Sequence, residues 1–317
     1  MTVQTVCLLG GSGFLGRHLA ERLCSRGLTV RVPSRHRERA KDALILLPTV
    51  EVVSADVHDP ARLAALLTGC DAVVNLVGVL HDHPRGAFQR NHVTLPSTLV
   101  AACRDAGVGR LVHVSAVGAD PNGPSAYLRS KGEGEARIME GAAHGIATTV
   151  VRPSVVFGQG DGFLNLFARL ARVFPVLPLG STGTRFQPIW VEDVAHAIDR
   201  LLDAPEAAGQ TMELCGPRVY TLRELVEYAA AASGHRRRVI SLPPALAWWQ
   251  ALVLEHLPGR PMTRDNLLSM SVDNICGCPF PAVLGFAPTP LEAVAPRVLC
   301  QVTPRTRHGT RRQTAGR

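Results

Sequence analysis

The sequence predicts an α/β protein built on a doubly wound parallel sheet with a smaller C-terminal α/β lobe, and three observations carry that prediction. The chain opens with an apolar run over Val3, Val6, Cys7, Leu8 and Leu9, and a strand covered on both faces reads as such a run. A glycine-rich turn, Gly10-Gly11-Ser12-Gly13-Phe14-Leu15-Gly16-Arg17, follows at once. Leu15, Leu19 and Leu23 then recur every four residues, which puts them on one face of a helix ending near Gly27.

The turn meets two related patterns. Gly11, Gly13 and Gly16 match GxGxxG, and Gly10, Gly13 and Gly16 match GxxGxxG. In such turns one glycine tolerates positive φ, one lets the backbone approach a pyrophosphate, and one lets the helix pack on the strand. The helix N-terminus adds free N–H groups and partial positive charge. A glycine turn alone is often structural. Its position between strand and helix favours a dinucleotide site in a Rossmann-type domain, lined by residues Gly10 to Arg17.

Thr29 to Val32 reads as a second strand. The next residues, Pro33-Ser34-Arg35-His36-Arg37-Glu38-Arg39, put no carboxylate at its end, where an acid would bind a ribose 2′-OH. Arg35, with Arg17 or Arg37 as helper, suits a 2′-phosphate instead, so NADP(H) is favoured over NAD(H). The alternative is a solvated basic loop. Glu51 to Ala55 is a third strand ending in Asp56-Val57, and Asp59-Pro60 caps a helix over Arg62 to Leu67. Ala72 to Val77 is a fourth strand closed by Gly78, so Leu76, Val77 and Gly78 fall at the ligand-binding edge. His81-Asp82-His83 has metal-ligand residue types, but adjacent loop residues rarely converge on one ion, and no metal site is assigned. Asn91 to Ala106 is a helix that Pro96 is expected to kink. Arg110 to Ser115 is a fifth strand.

After the turn Asp120-Pro121-Asn122-Gly123-Pro124 come Tyr127 and Lys131, four residues apart and on one helix face. An ammonium beside a phenol lowers the phenol pKa toward the range useful for acid/base work. Elsewhere a YxxxK is usually an exposed helix face. Its place after the fifth strand favours a functional pair.

A length of 317 residues allows a dinucleotide-binding domain over 1–160, a substrate or partner lobe over 161–303 with some interleaving, and a basic tail over 304–317. The tail holds five arginines and no acid, so of the net charge of +8 only +3 belongs to the rest. It reads as solvated and disordered, and no nucleic-acid motif accompanies it. Eight scattered cysteines, with Cys276 and Cys278 not at zinc spacing, are expected to be free thiols in a reducing cytoplasm. No run is long and apolar enough to span a bilayer and no signal peptide is recognised, so the expected location is cytoplasmic, with peripheral contact at the inner membrane face as an option.

In the second lobe, Leu164 to Val173, Val191 to Leu202 and Leu222 to Ala232 read as helices, Val239 to Leu242 as a strand, and Pro279 to Pro290 as loop. Pro244 to Leu254 is an apolar helix candidate with paired tryptophans. Residues 244–257 suit a membrane interface or a partner groove, and a lobe-core helix explains them about equally well.

Taken in order, the glycine turn, Asp56-Val57, Asn75-Leu76-Val77-Gly78, Ser115, Tyr127 and Lys131 resemble the short-chain dehydrogenase/reductase superfamily over roughly Val3 to Asp193. Arg152-Pro153-Ser154-Val155-Val156-Phe157-Gly158 is similar to the segment under the nicotinamide in extended, epimerase/dehydratase-like members, which adds Pro153 and Val156 to the cofactor contacts. GGSGFLGRHL, HVSAVGADPNGPSAYLRSKGEGE and RPSVVFGQGDGF resemble an atypical group. That group contains the NADPH-binding accessory subunit of respiratory complex I, its bacterial relatives and an accessory protein of coenzyme Q synthesis. The resemblance implies that Tyr127 is the proton donor or acceptor, that Lys131 binds the nicotinamide ribose, and that Asn91 supports a proton relay. Extended members carry a catalytic Ser or Thr two residues beyond Ser115, where this sequence has Val117. Ser115 substitutes only if the loop follows the classical pattern.

Three functions follow as expectations. The first is an NADP(H)-binding accessory protein of respiratory or quinone metabolism, its nucleotide structural or sensory. The second is an active NADP-dependent oxidoreductase or epimerase/dehydratase acting on a small carbonyl or quinone-related compound. The third, a plain interaction module, is disfavoured by the intact glycine turn.

Overall fold

The computed structural model describes residues 3–299; the tail over 304–317 lies outside the described residues. In the first half β1 (Thr5–Leu9), α1 (Phe14–Ser25), β2 (Thr29–Ser34), α2 (Arg37–Leu44), β3 (Val50–Ser54), α3 (Pro60–Leu67), β4 (Ala72–Asn75), α4 (Leu95–Ala106), β5 (Arg110–Val114), α5 (Ala126–Met139) and β6 (Ala147–Pro153) alternate. There follow β7 (Val156–Phe157), α6 (Leu164–Val173), β8 (Val176–Leu179), β9 (Arg185–Phe186), β10 (Ile189–Trp190), α7 (Val191–Leu202), β11 (Gln210–Leu214) and β12 (Tyr220–Thr221). The described chain ends with α8 (Leu222–Ala232), β13 (Arg238–Ser241), α9 (Pro244–Leu254), α10 (Arg264–Ser269) and α11 (Leu291–Leu299).

Seven parallel strands form the main sheet in the order β11-β6-β5-β4-β1-β2-β3. This is the Rossmann-type doubly wound sheet that the apolar runs predict. Its period of two sorts β1 to the two faces: Val6 and Leu8 pack with α1 and α7, and Cys7 and Leu9 pack with α3 and α4. All four are fully buried, worth about 1.5–3 kcal/mol for each large side chain. Asp59 caps α3 as expected, accepting from Ala61 and Arg62 N–H. Buried Asp199 of α7 takes Arg22 of α1 and Arg26 at its C-cap, which locks the helix that follows the glycine turn. A second apolar cluster joins α6, α8 and α11, and three two-stranded ribbons, β7–β10, β9–β12 and β8–β13, complete the lobe.

The helix expected from Asn91 is not α-helical throughout. The helical chain starts as a π-helix over Gln89–Thr94 and becomes α-helical at Leu95, with Pro96 in the first turn of α4. Pro96 lacks the N–H that would bond the His92 carbonyl. That carbonyl instead abuts Gly134 of α5, where any Cβ would collide with it.

The expectation of free thiols fails for one pair. Cys215, just past β11, and Cys276 form a disulfide across 61 residues, whereas Cys7, Cys24, Cys70, Cys103 and Cys278 are free. The fold brings the chain after α10 back over the C-terminal end of the sheet, a proximity that spacing does not reveal. Pro279 to Pro290 is loop apart from a 3₁₀ turn at Ala282–Leu284. The lobe-core reading of α9 is overturned: only Ala247 and Ala251 are buried. Among the described residues no helix is long and apolar enough to cross a membrane.

Candidate dinucleotide site

The sheet order reverses between β1 and β4, and the loops leaving these strands form a crevice at their C-terminal ends. Gly10, at φ +80°, starts the turn, and Leu76 stands directly beside it: Leu76 N–H donates to the Leu9 carbonyl at 3.0 Å. A Cβ on Gly16 would strike the Gly10 carbonyl and approach Gly11 Cα to 2.6 Å. Gly11 is similarly closed in by the Val32 methyls at 2.9 Å. Gly13, exposed, is the N-cap of α1, and neither a side-chain cap nor an acidic residue occupies that helix start. The first N–H groups of α1 thus face the crevice free for an anion. Ser12 and Leu15 are half-buried, and Phe14 stacks edge-on with His18, which pairs with Glu192 of α7.

At the end of β2, Arg35 and, on α1, Arg17 are exposed and make no ion pair among the described residues. Arg37 is committed, donating to the Val52 carbonyl and to Glu38. Its helper role is therefore not favoured by the structure. Asp56 pairs with Arg90, and the adjoining Val57 packs on the α3–α4 side of the core. Burial, with the fields of Arg90 and Arg35, pulls the His58 pKa below its usual value.

Val77 N–H donates to Asn75 Oδ1, and Val79 N–H to His92 Nε2 at 3.0 Å. Because Nε2 accepts, Nδ1 carries the proton and donates to Ser130 Oγ at 2.8 Å; Ser130 in turn donates to the Tyr127 carbonyl. Burial and the Lys131 charge hold His92 down at about 3. Its ring meets Tyr127 and Phe88 at 5.7 and 5.4 Å, and its Nε2 would lie 3.6 Å from a Cβ on Gly78. The π-helix turns His92, not Asn91, toward Tyr127. Asn91 points elsewhere, donating to the Ala87 carbonyl and meeting His58. Among the described residues Asn91 and Lys131 share no direct hydrogen bond.

The Tyr127–Lys131 coupling is also corrected. Lys131 is buried and donates to the Val114 carbonyl at 2.8 Å, with burial pulling its pKa to about 8. Its nearest acid, Glu135, is taken by Arg152. Burial alone pushes the Tyr127 phenol up to about 12, and the lysine does not lower it. Ser115 is buried, its Oγ without a partner among the described residues; Val117 is buried as well. Pro153 closes β6 and its carbonyl accepts Val117 N–H, while Val156 pairs with Ile189 across the β7–β10 ribbon.

Two residues escaped sequence reasoning besides His92. Asn274 Oδ1 accepts from Ser154 Oγ and Val155 N–H, pinning the strand end beside Pro153. Asp265 of α10 accepts from the N–H groups of Ala126 and Tyr127 at 2.7 and 3.1 Å. Neither belongs to a local motif. The His81-Asp82-His83 run forms no metal cluster among the described residues; Asp82 instead caps the backbone at Phe88.

A glycine cradle that no side chain can enter, a bare helix start and an orphaned serine hydroxyl fit a dinucleotide, and together with the sheet order they define a dinucleotide-binding α/β protein. Residues 6–215 match the NAD dependent epimerase/dehydratase family, and the chain belongs to it. It is 30% identical over 302 residues to mouse NADH dehydrogenase [ubiquinone] 1 alpha subcomplex subunit 9, mitochondrial, covering 92% of this chain and 78% of that protein. The ceramide reductase of Caulobacter vibrioides is 33% identical over 252 residues, covering 78% and 77%. Among solved structures, MoeE5 in complex with UDP-glucose and NAD superposes with a TM-score of 0.72 at 19% identity, covering 98% of this chain and 99% of that one.

Proposed function

We propose that the chain binds NADP(H) in this crevice and serves as an accessory protein of respiratory or quinone metabolism, in the cytoplasm or at the inner face of its membrane. The nucleotide's role there is structural or sensory. One observation carries the accessory reading: Val117 is buried where extended members carry a substrate-orienting hydroxyl. The apolar Val117 offers no hydrogen bond to a carbonyl. The relationship to the mitochondrial subunit supports the same reading.

When bound, a nicotinamide dinucleotide supplies hydride exchange. In this reading the residues of the chain mainly hold it. The α1 start takes the pyrophosphate and Arg35 takes the 2′-phosphate through charge-assisted hydrogen bonds. Lys131, anchored on Val114, takes the nicotinamide ribose. His92 and Ser130 fix the backbone at Tyr127 and keep the ring in place.

The second reading, an active NADP-dependent oxidoreductase or epimerase/dehydratase, is favoured by the Ser115 hydroxyl, buried with no partner among the described residues in the strand-end loop next to Val114. The experiment is nicotinamide oxidation followed with quinones and small carbonyls in wild type and Tyr127→Phe. NADPH binding without turnover in either protein supports the accessory reading. Turnover that Tyr127→Phe abolishes while binding persists sinks it.

A further inference from the structure

The described surface carries its largest exposed apolar side chains on one part of the second lobe. On α9, Leu246, Trp249 and Val253 follow at spacings of three and four and are 55%, 59% and 61% exposed. The opposite side of the helix holds small Ala247 and Ala251, with Ala247 against Gly180, and Gln250 donates to the Pro178 carbonyl. The α9 helix therefore sets its small side against the end of β8 and turns a row of large apolar side chains outward. The neighbouring ribbon also exposes apolar side chains. Phe174 and Val176, beside or on β8, and Ile240 on β13 are exposed, and Ile240 pairs in register with Pro178.

Charge selects the occupant. The two stretches that build this surface, residues 162–191 and 228–254, contain no Asp or Glu, whereas arginine recurs in both. Arg169, Arg236 and Arg238 are exposed and make no ion pair among the described residues. Arg238 sits in register with Val176, at the border of the apolar surface. Two copies meeting through this face would bring like charges together, which disfavours a symmetric dimer. An anionic lipid surface meets both requirements, taking apolar and indole side chains into the interface and basic side chains at the headgroups.

We propose that α9 and the β8–β13 ribbon dock this protein on an anionic bilayer surface, lying in the interface without spanning it. The inference stands on the second lobe alone and does not rest on the nucleotide reading.

The test is flotation of the full-length chain with vesicles of phosphatidylcholine, or of equal parts phosphatidylcholine and phosphatidylglycerol. Wild type is expected on the anionic vesicles and about tenfold less on the neutral ones. Trp249→Ser with Val253→Asp, both exposed positions, lowers anionic-vesicle partitioning about tenfold with an unchanged melting temperature. Arg236→Glu with Arg238→Glu, both exposed positions, lowers it similarly. Binding by both double variants equal to wild type overturns the proposal, because the tail beyond residue 303 then carries the attraction. No binding by wild type, or a wild-type dimer that Trp249→Ser with Val253→Asp disperses, overturns it equally.

Discussion

Replacing Gly16 by Ala separates a dinucleotide cradle from an ordinary tight turn. In an open helix this exchange stabilises by about 1 kcal/mol, since glycine is the poorer helix former. Here the new Cβ runs into the Gly10 carbonyl and lies 2.6 Å from Gly11 Cα, where ordinary contact starts near 3.4 Å. Both obstacles are backbone, so the start of α1 must move off the turn. Overpacking of this kind costs about 1–3 kcal/mol. The net loss is up to about 2 kcal/mol, a fall in melting temperature of a few degrees for a chain this size. The displaced N–H groups no longer converge on a pyrophosphate, and NADPH affinity falls about 10- to 100-fold, or about 1.4–2.8 kcal/mol. Gly13→Ala is the companion. Its Cβ meets only the Gly10 carbonyl, at 3.1 Å, and Gly13 is exposed at the helix start. Melting should therefore hold while affinity drops. Fluorescence titration and thermal unfolding read both variants. NADPH affinity unchanged in Gly16→Ala would refute the reasoning.

Lys131, with its pKa pulled from 10.5 to about 8, binds fewer protons folded than unfolded between those values, so its contribution makes stability rise with pH across that window. The rise is up to about 3 kcal/mol, measured as the difference between wild type and Lys131→Met in denaturant unfolding from pH 7 to 10.5; parallel profiles contradict it. His92, held at about 3, should show no imidazole titration by NMR above pH 4, and a midpoint near 6.5 would mean the Val79–His92–Ser130 chain is not formed. Asp265→Ala removes the acceptor of two α5 N–H groups and should lower unfolding free energy by about 1–2 kcal/mol; an unchanged value refutes its capping role.

How much was legible depended on whether the signal was local. The strand–glycine–helix start, the Asp59 cap and the helices at Leu164, Val191, Leu222 and Pro244 all rest on residues within a few positions of one another. They came through with close boundaries. The corrections share a different origin. Cys215 meets Cys276 across 61 residues, and Asp265 meets Tyr127 across 138. Such pairs exist only once the chain has returned over the sheet. Asn91 and His92 illustrate a subtler limit. Neighbours in sequence, they part company because the π-helix before Pro96 changes the angle at which each projects. The Tyr127–Lys131 spacing was read correctly as one helix face, but spacing does not reveal that the Val114 carbonyl holds the ammonium. The outward face of α9 was likewise visible as apolar residues, and only the fold shows which of them remain uncovered.

The central claim is that this crevice holds NADP(H), with Arg35 reading the 2′-phosphate. Calorimetric titration of wild type and Arg35→Ala with NADPH and NADH tests it most directly. The account predicts NADPH at least about tenfold tighter than NADH in wild type, and the difference erased in Arg35→Ala with NADH affinity unchanged. Equal affinities in wild type would contradict the assignment of Arg35, and binding of neither nucleotide would contradict the site itself.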